Sequence, residues 1–410
     1  MSSTWKKFPL QELTENNSPI TYGVVKPGEV GNVLFIRGGD LANGRILSSQ
    51  LRTITHEVSK QYERTVLRGG ELLISLVGQP GQVAVVPSEF AGSNIARQVG
   101  LIRLRRGIDA NFICYFLQSP DGRKALGKYT GGSVQQVINL CDLRMLSTPN
   151  PSLSEQKRIV AIVDHAFEAI DGAIENTKQN LVNARELLSS YLDNIFSDIA
   201  SRCVAKPIIS FSDVVSGYSF KSSDFSESNS IKSIKITNVG VQEFIADSSS
   251  YLPQEFSTSY KKFTISKGSI VIALTRSVIS AGLKVSIVSD EYHNALLNQR
   301  VAAIKSDSNI VSNEFLFAYL CTGNVIDYVQ SKVNTLMQPN LSINDLKNMP
   351  VPVPSLAEQN QLIFKIKELS TETQRLESIY RQKLAALTEL KQSILQKAFT
   401  GELTADQKAP

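Results

Sequence analysis

With 410 residues, 42% of them hydrophobic and 20% charged, the chain is long enough for two or three domains with buried cores. No uninterrupted apolar run approaches the roughly 18 residues of a membrane span, and no apolar segment follows the Met1-Ser-Ser-Thr-Trp-Lys-Lys start, so neither a membrane partner nor a secretion signal is expected. Four scattered cysteines (Cys114, Cys141, Cys203, Cys321) fit no metal or disulfide framework and suit a reducing, cytoplasmic setting, while a net charge of +5 permits a nucleic-acid partner without demanding one.

In chain order, strand-like runs at 72–76, 83–86 and 100–104 precede helical patterns at 111–118 and 121–128. A long helical pattern opens after Pro149-Asn-Pro-Ser-Leu-Ser-Glu-Gln156. The series then recurs, with strands at 270–274, 285–288 and 301–304 and a helix at 313–321. A second long helical pattern follows Pro352-Val-Pro-Ser-Leu-Ala-Glu-Gln359. Six of those eight positions agree at a fixed offset of 203 residues. The offset also pairs Phe112 with Phe315, Gln135 with Gln338, Asp142 with Asp345, Leu192 with Leu395 and Phe196 with Phe399. Farther upstream, Gly70-Glu-Leu-Leu-Ile-Ser-Leu76 answers to Gly268-Ser-Ile-Val-Ile-Ala-Leu274 with a small length change. Residues 1–65 and 207–262 barely match. Shared helices with divergent globular parts imply one common partner and two different targets. The boundaries read as 1–150, a helix over 151–200, 201–353, and a second helix over 354–410.

Each long helix has a start signal. Pro151 and Pro354 disfavour helix before them, and Ser152 and Ser355 are good N-caps with Glu155 and Glu358 three residues on. Apolar residues then step by four and three through Ile159, Val163, Ile170 and Leu187, and again through Leu362, Ile366, Leu369, Leu376, Leu387 and Ile394. This is a coiled-coil seam, with polar interruptions expected at Thr177, Asn180 and Lys383. The alternative is two amphipathic helices, each packed on its own domain. Neither copy has enough apolar width to bury alone, so mutual, antiparallel pairing is preferred, with the globular units at opposite ends of a rod. The fold class is therefore α+β: two α/β units in tandem repeat, joined by a long antiparallel two-helix coiled coil with pseudo-two-fold symmetry.

Enzyme signatures are missing. There is no P-loop, dinucleotide-binding or nucleophile-elbow motif, and the three histidines (His56, His165, His293) do not recur between copies. Polar residues at matched turns are the candidates for contact. Arg97 and Gln98 stand against Asn298, Gln299 and Arg300; arginine and glutamine suit paired hydrogen bonds to guanine and adenine edges. Ser133, Gln135 and Gln136 stand against Thr335, Gln338 and Asn340 in a second small, polar loop suited to phosphates and bases. Arg37, Arg276 and the alternating Arg103 and Arg105 add positive charge, the last two on one face of a strand. For every one of these groups an ordinary strand end, connecting loop or solvated face is the competing reading.

These residues resemble the specificity subunit of type I restriction-modification enzymes. The resemblance is carried by the two Pro-Ser-Leu-x-Glu-Gln helix entrances, the Gly-Glu-Leu-Leu-Ile-Ser and Gly-Ser-Ile-Val-Ile-Ala strands, Asn298-Gln-Arg-Val301 and Ala398-Phe-Thr-Gly-Glu-Leu403. It covers essentially the whole chain. The first copy departs from it at Ala96-Arg-Gln98, where Asn-Gln-Arg is typical. The resemblance implies two target recognition domains, each reading one half of a split, asymmetric site in double-stranded DNA. It implies helices that act as a ruler and dock two methyltransferase (modification) subunits, with motor/nuclease (restriction) subunits joining them. S-adenosylmethionine, ATP and magnesium would belong to those partners; this chain would hold no cofactor or metal and catalyse nothing. The alternative kept open is a stand-alone DNA-binding regulator.

Overall fold

A computed structural model describes residues 5–16, 18–131, 136–246, 251–332 and 340–405. The chain forms two compact units, residues 1–178 with 382–410, and residues 179–381.

The first unit is built on an antiparallel sheet in the order Thr21–Tyr22, Val99–Ile102, Leu72–Ser75, Val83–Val85. The central strands are buried on both faces, as their unbroken apolar sequence requires. One face packs on the helix Ala110–Gln118, which presents Phe112, Ile113, Phe116 and Leu117. The other face packs on a smaller sheet of Arg52–Ile54, Val33–Ile36 and Asn94–Ile95, in which the last pair is parallel. A short antiparallel pair, Lys7–Pro9 with Ser147–Pro149, ties the chain start to the residues just ahead of the long helix.

The second unit repeats the main sheet strand for strand: Ser212–Ser216, Val301–Ser306, Ile270–Ala273, Val285–Ile287. Its helix Asn313–Leu320 and its closing pair, Ala205–Pro207 with Pro350–Pro352, correspond as well. The small sheet differs in order. Here Ala295–Leu297 lies in the middle, parallel to Ser233–Ile234 and antiparallel to Thr264–Ile265. The segments 1–65 and 207–262, almost unrelated in sequence, thus carry equivalent frame elements with different trimmings.

The long helices span Leu153–Arg202 and Leu356–Thr400. Within each unit their segments run antiparallel. In the first, Ile159 and Val163 share a core with Leu395 and Phe399, and Asp171 bonds Lys391. In the second, Arg185 pairs with Glu377 at 3.1 Å, and Arg202 pairs with Glu358. Each helix ends by inserting an aromatic ring into a core. Phe399 lies 5.2 Å from Phe112 and 5.6 Å from Phe116, while Phe196 lies 5.3 Å from both Phe315 and Tyr319.

The helix-entrance motif has a structural explanation. Ser152 and Ser355 accept from the backbone N–H groups of Glu155 and Glu358, as N-caps do. The glutamine one residue on is fully buried in both copies. Gln156 Oε1 accepts from Asp109 N at 2.8 Å, and its Nε2 donates to Pro151 O at 2.9 Å and Asn150 Oδ1 at 3.0 Å. Gln359 does the same with Ser312 N, Pro354 O and Ile310 O, each at 2.9 Å. One side chain therefore staples the long helix to the N-cap of the short helix on the sheet.

The seam departs from the sequence pattern in its middle. Ile159, Val163 and Ile170 are buried, and Leu362, Ile366, Leu369, Leu387 and Ile394 are half-buried. Leu187, however, is 57% exposed and Leu376 is 38% exposed. Thr177 is buried and gives its hydroxyl to Ala173 O; from it the four-three alternation runs through Leu181, Ala184, Leu188 and Tyr191. The adjacent leucines at 187 and 188 made two phases look equally apolar. On the other helix Glu377 takes the seam place that Leu376 was expected to fill, and its carboxylate is held low by the hydrogen-bonded Arg185 guanidinium. Asn180 and Lys383 are exposed and interrupt nothing.

Candidate nucleic-acid interface

In each unit a tight turn joins the small sheet to the main one, and a matched set of backbone hydrogen bonds fixes it. In the first, Ala96 N donates to Ile36 O, Arg97 N to Val24 O and Val99 N to Ala96 O, at 2.8, 2.9 and 2.9 Å. Gln98 O accepts from Leu76 N at 2.7 Å. In the second, Asn298 N donates to Ile234 O, Gln299 N to Tyr218 O and Val301 N to Asn298 O, at 3.0, 2.9 and 3.0 Å. Arg300 O accepts from Leu274 N at 2.9 Å. A glycine makes the crossing possible: a Cβ on Gly23 would stand 1.9 Å from Ile95 O, and one on Gly217 would stand 2.1 Å from Asn298 O.

These bonds use the backbone and leave the side chains available for other contacts. Arg97, Gln98, Gln299 and Arg300 are exposed, Asn298 is half-buried, and among the described residues none of these five side chains makes a hydrogen bond or ion pair. Other candidates collect beside the turns. Arg37 follows Ile36 directly, and its guanidinium is held by Asp40 (Nε to Oδ2 3.1 Å, Nη2 to Oδ1 2.8 Å), which raises its pKa further. Arg37, Gly39, Asp40, Leu47, Gln50 and Gln98 line a cavity of about 330 Å³. Gln136 is exposed next to Val137, which pairs with Val77 in the loop after the Leu72–Ser75 strand. Asn340 pairs with Thr275 in the equivalent loop, beside the exposed Arg276. Ser133, Gln135, Thr335 and Gln338 lie outside the described residues.

Two expected contacts are not brought to this place. Arg103 is 8% exposed; it donates to Arg64 O and Val66 O at 2.9 and 2.8 Å and lies 3.5 Å from Glu71. The strand ends at Ile102, so the alternation that put Arg103 and Arg105 on one solvated face stops before them. Arg105 is exposed, but its backbone is tied to Leu13 at the far end of that strand from the turn.

The structure singles out residues that the sequence shows only as scattered basic and aromatic positions. Lys235 occupies the place of Arg37: its N–H donates to Asn238 Oδ1 at 2.8 Å just as Arg37 N donates to Asp40 Oδ2 at 2.8 Å. Its ammonium stands 4.4 Å over the Phe225 ring. The shared Arg/Lys-x-x-Asp/Asn spacing is the signal that was available. Lys284 donates to Ile236 O at 3.1 Å, and desolvation, with the nearby Arg276 charge, lowers its pKa. Tyr218 belongs to an aromatic cluster with Tyr260, Phe220 and Phe263 at 4.6, 5.1 and 5.3 Å. The equivalent region of the first unit packs Val24, Ile54 and Ala96 around Phe35, with Val33, Val58 and Tyr62 at its edge.

Two cationic turns with directional amide and guanidinium groups suit hydrogen bonding to base edges and attraction to phosphates. Burial pushes the thiols of Cys114 and Cys321 up to about 12, which keeps both protonated and unreactive. Among the described residues no helix is long and apolar enough to cross a membrane, and no group of three His, Cys, Asp or Glu is placed to hold a metal.

Comparison with known proteins gives a consistent result. Residues 2–184 and 208–387 match the family described as type I restriction modification DNA specificity domain. The MjaVIII specificity subunit of Methanocaldococcus jannaschii is 27% identical over 274 residues, covering 63% of this chain and 62% of the relative. The EcoBI specificity subunit of Escherichia coli is 29% identical over 195 residues, covering 47% and 41%. The chain thus spans less than two thirds of either relative's length. The StySPI specificity subunit of Salmonella potsdam is 21% identical over 431 residues, covering 99% of this chain and 90% of that one. The fold is shared with a chain solved in a study of complex assembly and conformational transition of the type I R-M system. That match has a TM-score of 0.74, 18% identity and coverage of 98% and 99%. The HsdS subunit from Thermoanaerobacter tengcongensis matches with TM-score 0.55, 19% identity and coverage of 97% of each chain. With both halves of the repeat matched separately, this chain belongs to the family of type I restriction modification DNA specificity domains.

Proposed function

We propose that the chain is the DNA-reading subunit of a type I restriction-modification assembly, each unit recognising one half of a bipartite, asymmetric site in double-stranded DNA. One observation carries this reading: the same backbone turn, fixed by the same hydrogen bonds, presents Arg97 and Gln98 in one unit and Gln299 and Arg300 in the other. Identical units would match a palindrome, whereas equal frames with unequal side chains suit two unlike half-sites. The long helices, common to both halves, are the natural docking surface for two methyltransferase subunits and set the spacing between half-sites. Methyl transfer with S-adenosylmethionine, and translocation and cleavage with ATP and magnesium, fall to those partners and to restriction subunits; the assembly works in the cytoplasm. This chain supplies binding and orientation alone.

The test is to compare Arg97→Ala/Gln98→Ala with Gln299→Ala/Arg300→Ala in the full chain, selecting bound duplexes from a randomised pool. Each pair should relax base preference in one half of the selected site and leave the other half intact. Preference lost from both halves together, or from neither, would contradict the assignment of one half-site to each unit.

A further inference from the structure

The repeat conserves backbone shape at three places where it changes the residue. Gly44, Gly78 and Gly92 of the first unit have φ of 80°, 88° and 86°; their counterparts Gln242, Arg276 and Asn294 have φ of 60°, 49° and 64°. The correspondence is fixed by equivalent hydrogen bonds. Leu47 N to Asp40 O matches Ile245 N to Asn238 O, and Leu76 N to Gln98 O matches Leu274 N to Arg300 O. Gly92 N to Leu67 O likewise matches Asn294 N to Ile265 O. Glycine visits this left-handed region freely and asparagine with little penalty, but arginine and glutamine do so only against a steric cost.

A position that only had to turn is served by glycine, as at Gly78. Arg276 is exposed and makes no hydrogen bond or ion pair among the described residues, so no described side chain offsets its backbone conformation. Such unrelieved strain at a loop of a binding surface points outward to a ligand. Positive charge is already present there in Lys284, close enough to Arg276 for the two charges to repel, and a phosphate contact needs no particular Cβ direction. Paired hydrogen bonds from a planar guanidinium to one base edge do need one.

Resting on the DNA-reading function above, we propose that Arg276 is a specificity-determining residue of the second unit, aimed by its left-handed backbone to pair with a guanine edge in the major groove of that unit's half-site.

The experiment uses the full chain in three forms, wild type, Arg276→Gly and Arg276→Lys. Each is tested on duplexes carrying every single-base change of the selected site, with thermal unfolding followed in parallel. Arg276→Gly should lose about tenfold in discrimination at one G·C pair of one half-site, keep the other half-site profile, and unfold no earlier than wild type. Arg276→Lys should keep charge and overall affinity yet leave that discrimination lost. Uniform weakening with an unchanged base profile would overturn the proposal in favour of a phosphate contact, and an unchanged profile at full affinity would make the residue a bystander. Earlier unfolding of Arg276→Gly would assign it a structural role. A wild-type chain with no base preference in either half would instead refute the DNA-reading function itself.

Discussion

At three matched turns the first unit has Gly44, Gly78 and Gly92 where the second has Gln242, Arg276 and Asn294; beside its recognition turn the first packs the rings of Phe35 and Tyr62 among aliphatic side chains, where the second packs Phe220, Phe225, Phe256, Tyr260 and Phe263. Both nonetheless hang the same four-stranded sheet on the same glutamine-stapled helix entrance. The difference separates two kinds of constraint. Positions that make the frame repeat in chemistry as well as place. Positions that face outward repeat in place alone, which is what selection for two unlike targets on one scaffold would leave behind.

Breaking the common frame should have the largest effect, and an equal one in each unit. Phe196→Ala and Phe399→Ala each remove a buried ring packed against two others, so each should cost about 4 kcal/mol in denaturant unfolding. A loss confined to one of them would mean the two closures are not equivalent. Gln156→Leu and Gln359→Leu come next. Each leaves a buried N-cap amide and two carbonyl or amide acceptors without their partner, at about 3 kcal/mol by the same measurement. Retained stability would show that water substitutes for the staple. The smallest effect sharpens the contrast. Gln242→Gly should stabilise the chain by about 1 kcal/mol by relieving a left-handed glutamine. The mirror change Gly44→Gln should destabilise it, because φ is 80° there and a Cβ would stand 3.0 Å from Gln118 Nε2. Thermal shifts of opposite sign check both; shifts of the same sign would break the equivalence of these two turns.

Much of the frame was legible from the residues. The Pro-Ser-Leu-x-Glu-Gln repeat located both long helices and their caps, and the matched apolar runs located three of the four main-sheet strands in each unit. The opening strands at Thr21–Tyr22 and Ser212–Ser216 were not visible, because their repeat is kept by one glycine and by backbone hydrogen bonds, which leave little trace in side-chain identity. The seam failed where Leu187 and Leu188 offered two phases, and only the buried Thr177 decides between them. In the site, the exposed turn residues were found because polar groups at matched positions stand out. Arg103 was misplaced because a strand's alternation was extended one residue past its end, into a buried position beside Glu71. Lys235 escaped because it is matched to Arg37 through Asp40 and Asn238, a relation of backbone capping that the linear comparison does not align.

The central claim, two unlike half-sites read by one chain, is tested most directly by mapping methylated adenines in cells that carry this gene and the methyltransferase proposed as its partner, and in the same cells without the gene. The account predicts one asymmetric motif of two unlike blocks separated by a fixed unspecified gap, vanishing when the gene is removed. A palindromic or unbroken motif, or a map indifferent to the gene, would contradict it.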